Sequence, residues 1–182
     1  MSALLTVLTR RCLPLVLVGA VAGCSAPNAP HTATTTTAAS TTAGFRPYLN
    51  ADIGYQLDIP TDFLQSEQST DGAVAWLSPD KTSTVQVLVA TDDPSTAAEQ
   101  LDQCRKQLTM VGGHVDRAEV DDDRYVCIGT DGKAGAYAER GIVQAARTMV
   151  VIWACPESDR MRWDQPLKHT MASFAPMVPP TK

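Results

Sequence analysis

The chain has few aromatic residues, few histidines and no apolar run long enough to cross a membrane. Aromatic side chains make up 5% of its 182 residues, and only 3 residues are histidine. The longest apolar run, residues 12–22, has eleven residues, whereas a membrane-spanning helix needs about 20. The most apolar stretch downstream, residues 149–154, has six residues and is typical of a strand. The sequence therefore predicts no transmembrane helix.

Sequence motifs of catalytic and metal sites are also lacking. There is no C-x-x-C pair and no G-x-S-x-G nucleophile motif. The run Asp121-Asp122-Asp123 lacks the alternating spacing of a calcium loop, and His114 stands far in sequence from His31 and His169. We therefore expect no metal and no cofactor. A Ser/His/Asp set assembled from distant positions stays open, because such a set is defined by geometry.

Basic charge is scarce as well. The chain has 15 basic and 20 acidic residues, for a net charge of −5. Cleavage after residue 23 would remove Arg10 and Arg11 and no acidic residue, leaving 13 basic against 20 acidic residues. A protein that binds nucleic acid needs a basic surface for the phosphates. The composition therefore excludes nucleic acid as an expected partner.

The N-terminus is typical of a bacterial lipoprotein signal peptide. Arg10 and Arg11 precede the apolar run 12–22, and the segment ends in Val21-Ala22-Gly23-Cys24. We predict that residues 1–23 are removed and that Cys24 is lipidated. An ordinary secretory signal is the alternative, and the adjacent arginines also leave twin-arginine export open.

Lipidation of Cys24 would place the protein on the extracytoplasmic face of the cell membrane. Each buried methylene contributes about 0.8 kcal/mol, so two or more acyl chains, palmitate among them, anchor a protein stably. Residues 24–44 form a Thr/Ala/Pro-rich linker without large apolar side chains, which favours disorder. Twenty such residues reach about 25 Å. Whether the linker is O-glycosylated or an unmodified spacer stays open.

Residues 45–178 are predicted to form a single domain, followed by the tail 179–182. Alternating apolar residues and turn signals predict six strands. A capping box of Thr96 and Glu99 opens a helix that ends at Gly112-Gly113. A second helix is expected at 163–174. The strands are expected at residues 54–60, 73–77, 83–90, 124–129, 134–143 and 147–155. The order βββαβββα predicts an α+β fold in which helices pack on an antiparallel sheet of about six strands.

Short motifs at both ends of this domain resemble those of a known domain family. Gly54-Tyr55 through Ile59-Pro60, followed by Asp62-Phe63, resembles the opening of Mog1/PsbP-like domains, and Met171-Ala172-Ser173-Phe174 is similar to their ending. With the lipobox and the Thr-rich linker, the whole arrangement resembles actinobacterial envelope lipoproteins of the LpqN type. The resemblance implies a Mog1/PsbP-like fold and a binding, assembly or envelope role. It implies no shared catalytic residues.

Three cysteines remain in the predicted domain: Cys104, Cys127 and Cys155. An oxidising compartment favours a disulfide, and the odd number leaves one thiol. Cys127 and Cys155 would lie on the first and third strands of a meander, about 10 Å apart, beyond the limit of about 7 Å between Cα atoms. Cys104, on the helix that covers the sheet, can meet either one. We predict a Cys104–Cys127 pair, with Cys104–Cys155 as the alternative.

Large aromatic residues in the predicted strands suggest a ligand site only if one face of the sheet is uncovered. In that case an apolar cleft would contain Tyr55, Trp76, Tyr125, Tyr137 and Trp153. Strand tryptophans more often belong to the core.

Two function classes follow from the sequence. The first is a membrane-anchored, extracytoplasmic and non-catalytic binding or interaction module of the cell envelope, with an envelope protein, a lipid or a glycan as its partner. The alternative is an envelope hydrolase whose site the sequence does not display. Convergent Ser, His and Asp side chains in one pocket would favour the hydrolase.

Overall fold

The protein is described by a computed structural model over residues 44–66, 73–133, 135–145 and 147–177. Within these ranges the chain forms ten strands and two α-helices. The elements in chain order are β1 (Phe45–Asn50), β2 (Tyr55–Pro60), β3 (Leu64–Gln65), β4 (Ala73–Leu77), β5 (Thr84–Thr91), α1 (Ala97–Met110), β6 (His114–Asp121), β7 (Arg124–Thr130), β8 (Gly135–Gln144), β9 (Arg147–Pro156), α2 (Arg160–Ser173) and β10 (Ala175–Pro176). A single 3-10 turn, Glu157–Asp159, leads into α2.

The strands form two antiparallel sheets. The larger sheet has seven strands in the order β3-β4-β5-β9-β8-β7-β6, and the smaller has three in the order β1-β2-β10. The β7-β8-β9 meander pairs residue by residue, with Cys127 opposite Glu139 and Ala138 opposite Trp153. Helices packed on antiparallel sheets confirm the predicted α+β class.

All six predicted strands and both predicted helices are present, but the prediction of about six strands was too low. It lacked β1, β3, β6 and β10. The β6 strand is the edge of the large sheet and most of its side chains are exposed, so it lacks the alternation that marks a half-buried strand. The β3 and β10 strands have two residues each, too few to show any period.

The local signals at the ends of α1 are confirmed. The Thr96 side chain accepts from the Glu99 backbone N–H, and the Glu99 carboxylate accepts from the Thr96 N–H at 2.7 Å, so the capping box is complete. Gly112 has a φ of +79°, a left-handed conformation that glycine adopts without steric cost. The helix therefore begins and ends where the sequence predicted.

The two faces of the seven-stranded sheet are covered by different elements. One face, here called the aromatic face, packs against the small sheet and α2, and its cross-strand row runs from Trp76 through Val85 and Trp153 to Ala138. The opposite face of β6, β7 and β8 packs against α1 and is here called the α1 face. Since successive residues of a strand point to opposite faces, β7 and β8 contribute side chains to both cores.

The aromatic face holds the larger core. Phe63, Trp153 and Trp163 form a triangle with ring centroids 5.3–6.0 Å apart. All three are buried, and Trp163 reaches them from the first turn of α2. Buried aromatic contacts of this kind contribute beyond their apolar area, so this triangle holds α2 on the sheet.

Candidate functional site beneath helix α1

The α1 face contains a buried carboxylate. Glu139 lies in the middle of β8, opposite Cys127 of β7, and only 8% of it is exposed. Its phase in the strand places it on the face that α1 covers, whereas its neighbours Ala138 and Arg140 point to the other side. A carboxylate this deeply buried needs hydrogen bonds to offset the loss of water.

Two tyrosines supply those hydrogen bonds. The Tyr125 hydroxyl donates to Glu139 Oε1 at 2.5 Å, and the Tyr137 hydroxyl donates to Oε2. Burial, followed by the nearby charge of Glu139, raises the pKa of Tyr137 well above its usual value of 10.0. Tyr137 therefore stays protonated and donates at any physiological pH.

A glycine makes room for one of these rings. Gly141 pairs directly with Tyr125 across β8 and β7. A Cβ atom at Gly141 would lie 1.9 Å from Tyr125 Cε1, a distance at which carbon atoms clash. The absence of a side chain at residue 141 therefore lets the Tyr125 ring lie against β8, with its hydroxyl at Glu139.

Two thiols complete the cluster. Cys104 on the buried side of α1 forms a hydrogen bond with Cys127 of β7, and both are buried. This hydrogen bond, together with burial and the Glu139 charge, raises the pKa of Cys104, while it lowers the pKa of Cys127. Of the two sulfurs, Cys127 is therefore the one that ionises first.

The structure divides the five predicted cleft residues between the two faces. Tyr125 and Tyr137 belong to the α1 face, whereas Tyr55, Trp76 and Trp153 belong to the core of the aromatic face. All except Tyr137 are about 1% exposed or less. The expectation of a single apolar cleft lined by the five is therefore not met, because alternate strand positions separate them by the thickness of the sheet.

Cys155 lies on the aromatic face, opposite Ala136 and near the 3-10 turn. Burial, then the charges of Asp159 and Glu157, raises its pKa to about 11. Its thiol and that of Cys104 are on opposite faces of the sheet. The alternative Cys104–Cys155 pair is therefore incompatible with the fold, since the bond would have to pass through the sheet.

The remaining predictions on anchoring fall outside this cluster. Cys24 and the linker precede the described residues, which begin at Gly44. In the described part of the chain, no helix is long and apolar enough to cross a membrane. Over the same residues, no group of three or more His, Cys, Asp or Glu side chains could hold a metal ion.

Two sets among the described residues have the residue types of a hydrolytic triad. In one, His169 Nε2 lies 2.8 Å from Asp58 Oδ2, and the Ser173 hydroxyl accepts from the Asp58 N–H and donates to Thr170 O rather than to the imidazole.

The other set lies on β6 and β7. His114 Nδ1 lies 2.8 Å from Thr130 Oγ1, and His114 Nε2 lies 2.9 Å from Asp116 Oδ1. In an established triad Nε2 faces the nucleophile and Nδ1 faces the acid, so the ring here is reversed. The His114 side chain is 68% exposed, and Asp116 also pairs with Arg160 at 2.8 Å. The set is therefore a cross-strand surface network, with no enclosed site around it.

Sequence reasoning missed Glu139. The signal that could have found it is the single acid of this strand, which lies in the middle and in phase with Tyr137 rather than with Ala136 and Ala138. Its neighbours were found for other reasons, Cys127 as a disulfide candidate and Tyr125 as a large aromatic. What joins them is the register of β7 on β8.

The cluster is a closed polar network rather than a nucleophile beside a base. Both Glu139 oxygens already accept hydrogen bonds from tyrosine hydroxyls, and the two free thiols share a hydrogen bond. The two described histidines lie elsewhere, with His114 beside Asp116 and His169 beside Asp58. The chemistry directly available to the cluster is oxidation of its two thiols.

Comparisons with known proteins place the fold but not the family. No family model matches the chain, and no curated protein matches it by sequence. Among solved structures it is similar to cyanobacterial PsbP (CyanoP) from Synechocystis, with a TM-score of 0.57 and 12% identity over 87% of this chain and 99% of that one.

A second similar structure is LpqN of Mycobacterium tuberculosis, described as involved in cell envelope biogenesis. The TM-score is 0.53 at 14% identity, and the match covers 76% of this chain and 94% of LpqN. Both similarities show the fold alone. The chain thus has a PsbP-like fold that resembles those of CyanoP and LpqN.

Proposed function

We propose that this protein is a lipid-anchored, extracytoplasmic lipoprotein whose domain acts as a non-catalytic binding module of the cell envelope. The observation that carries the proposal is the coincidence of two independent features. A lipobox-like Val21-Ala22-Gly23-Cys24 stands at the N-terminus, and the domain shares its fold over 94% of the length of LpqN. The sequence motif predicts attachment to the extracytoplasmic face of the cell membrane, and the similarity to LpqN supports a location in the cell envelope.

The interior of the domain supports a binding role over a catalytic one. Its buried carboxylate, Glu139, accepts hydrogen bonds from Tyr125 and Tyr137. The set around His114 lies open to solvent, and in the set of Asp58, His169 and Ser173 the serine hydroxyl donates to Thr170 O. Hydrolysis of the triad type needs a nucleophile held against a base. Surface contact with an envelope protein, lipid or glycan needs neither.

Anchoring is tested by labelling growing bacteria with an alkyne analogue of palmitate. The wild-type chain is compared with Cys24→Ala and with a matched control, Cys12→Ala, which changes a cysteine of the same leader. We expect wild type and Cys12→Ala to be labelled and to sediment with membranes. Cys24→Ala should lose the label entirely. Equal labelling of Cys24→Ala, or no labelling of wild type, would overturn the anchor.

Binding is tested by chemical crosslinking in intact envelopes, again comparing wild type with Cys24→Ala. We expect defined adducts with wild type that are lost when the anchor is removed, because the tether concentrates the domain at the surface. The hydrolase alternative makes a different prediction. It requires turnover of activated esters by purified wild type and its loss in His114→Ala, whereas a binding module shows no difference between the two.

A further inference from the structure

We infer that Cys104 and Cys127 form a disulfide in the exported protein and that this bond fastens α1 to the seven-stranded sheet, leaving Cys155 as a free thiol. This modification site goes beyond the proposed binding role. It requires an oxidising compartment, and its chemistry stands on the geometry of the α1 face.

The first argument is placement. Cys104 lies on the buried stripe of α1 with Ala97, Leu101 and Leu108, and this stripe packs on β7. Cys127 occupies the centre of β7 on the same face, and the two thiols are in hydrogen-bond contact. Both thiols therefore lie in one buried cluster between α1 and β7, as a disulfide between the helix and the sheet requires.

The second argument is exclusion of the other partner. Cys155 sits two strands away from Cys127, since β8 lies between β7 and β9, and it points to the aromatic face. Three cysteines allow three pairings, and the fold is compatible only with Cys104–Cys127. Cys155 therefore stays a thiol in the core of the opposite face.

The third argument is the chemistry of the exchange. One of the two thiolates attacks the disulfide of an exported thiol–disulfide oxidoreductase and displaces one of its sulfurs as a thiolate. The thiolate of the other cysteine then attacks the protein sulfur of this mixed disulfide, releasing the second oxidoreductase thiolate. The protein loses two electrons and two protons, and the oxidoreductase is reduced to its dithiol.

Burial fixes the order of events. Cys104 is 4% exposed and Cys127 0%, so an oxidoreductase reaches them only before α1 docks on the sheet. The bond thus forms during folding after export and then becomes inaccessible to reductants. Once formed, the disulfide closes a loop of the chain that begins in α1, contains β6 and ends in β7.

The test counts thiols on the full-length protein purified from the envelope. The denatured protein is alkylated with a maleimide before or after reduction, and the adducts are counted by intact mass. We expect one adduct before reduction and three after it. Three adducts before reduction would overturn the proposal. An unlipidated Cys24 adds equally to both counts, so the difference of two is independent of the proposed anchor.

Single-cysteine variants identify the partners. Cys155→Ala should show no adduct before reduction and two after it, because the bond is kept. Cys127→Ala should show two before and two after. If Cys155→Ala instead gives two adducts before reduction, Cys155 is a partner and the inference is wrong. Each variant is read by mass on denatured protein, so the result does not depend on how stable the variant is.

Discussion

The two faces of the seven-stranded sheet are built by different means. The aromatic face is closed by a broad apolar core with three tryptophans, and its interior contacts are ring contacts and aliphatic packing. The α1 face is closed by one helix, and beneath that helix lie a carboxylate, two phenols and two thiols. β7 and β8 belong to both faces, so along these two strands the difference comes from which residues occupy odd and even positions.

The two faces differ in what stabilises them and in which reactive side chains they contain. Apolar burial contributes roughly in proportion to area, so the larger aromatic face dominates the stability of the domain. The α1 face buries polar groups, which are stabilising only while every hydrogen bond is made. A helix held in this way depends more on individual side chains and, once the thiols are oxidised, on a covalent bond.

Truncation of the aromatic core should have the largest effect. Trp153→Ala removes a side chain that is 0% exposed from contact with Phe63 and Trp163, and we expect the free energy of unfolding to fall by about 3–5 kcal/mol. Met161→Ala is the matched control, since Met161 is 87% exposed, and it should change little. Urea unfolding measures both. A small loss for Trp153→Ala would mean that this face is not the main core.

Loss of the disulfide should rank next. The double variant Cys104→Ala, Cys127→Ala removes both thiols, and the chain-entropy model gives about 3–4 kcal/mol for a loop of this length. The comparison is made by urea unfolding without reductant, with Cys155→Ala as the control. Reduction of wild type should remove most of the difference in the free energy of unfolding between wild type and the double variant. A gap that persists unchanged would place the loss in packing rather than in the bond.

Removing the buried carboxylate should have an intermediate effect. Glu139→Leu leaves the hydroxyls of Tyr125 and Tyr137 without their acceptor, and a buried unsatisfied group costs about 1–3 kcal/mol. Replacing Tyr125 and Tyr137 by Phe in the same variant should restore part of the stability, because no unpaired hydroxyl then remains. Thermal unfolding of the three proteins checks this. No recovery in the triple variant would show that the hydroxyls are satisfied without Glu139.

The smallest expected effect concerns the pH dependence of a surface contact on α2. Partial burial opposes ionisation of Asp80, yet hydrogen bonds from Ser78, the Thr82 backbone and Arg162 lower its pKa below the ordinary 3.8. A lowered pKa in the folded state stabilises the fold above about pH 4, and this contribution is lost as the pH falls further.

Asp80→Asn should therefore cost under about 1 kcal/mol at pH 7, as expected for an exposed pair. The variant and wild type should converge in stability towards pH 2. Asp164→Asn, which breaks the exposed i,i+4 pair with Lys168, serves as the control. Chemical unfolding across this pH range gives the answer, and a constant difference between Asp80→Asn and wild type would contradict the assigned pKa direction.

Much of this fold follows from local patterns. Thr96 and Glu99 set the start of α1, and apolar residues between turn signals located β2, β4 and β5 within a few residues. The β6 strand escaped because an edge strand with exposed charges needs no apolar alternation. The composition of the α1 face was harder to predict, since Glu139 meets Tyr125 and Cys127 only through the register of two strands.

The disulfide partners illustrate the same limit. The predicted positions of the two strand cysteines in a meander excluded the Cys127–Cys155 pair but left two possible partners for Cys104. Deciding between them required the face to which each strand cysteine points, and that depends on which residues of β8 lie opposite β7 and β9. Long-range register is set by the packing of the whole core and not by any local signal.

Hydrogen exchange tests the contrast between the two faces most directly, on the mature protein as purified and after reduction in denaturant and refolding with the thiols kept reduced. Elements held by few contacts open locally at lower free energy than the main core. We expect reduction to speed amide exchange in α1 (Ala97–Met110) while β5 and β9, which carry the aromatic core, keep their protection. Equal acceleration in all three elements, or an unchanged α1, would contradict the account.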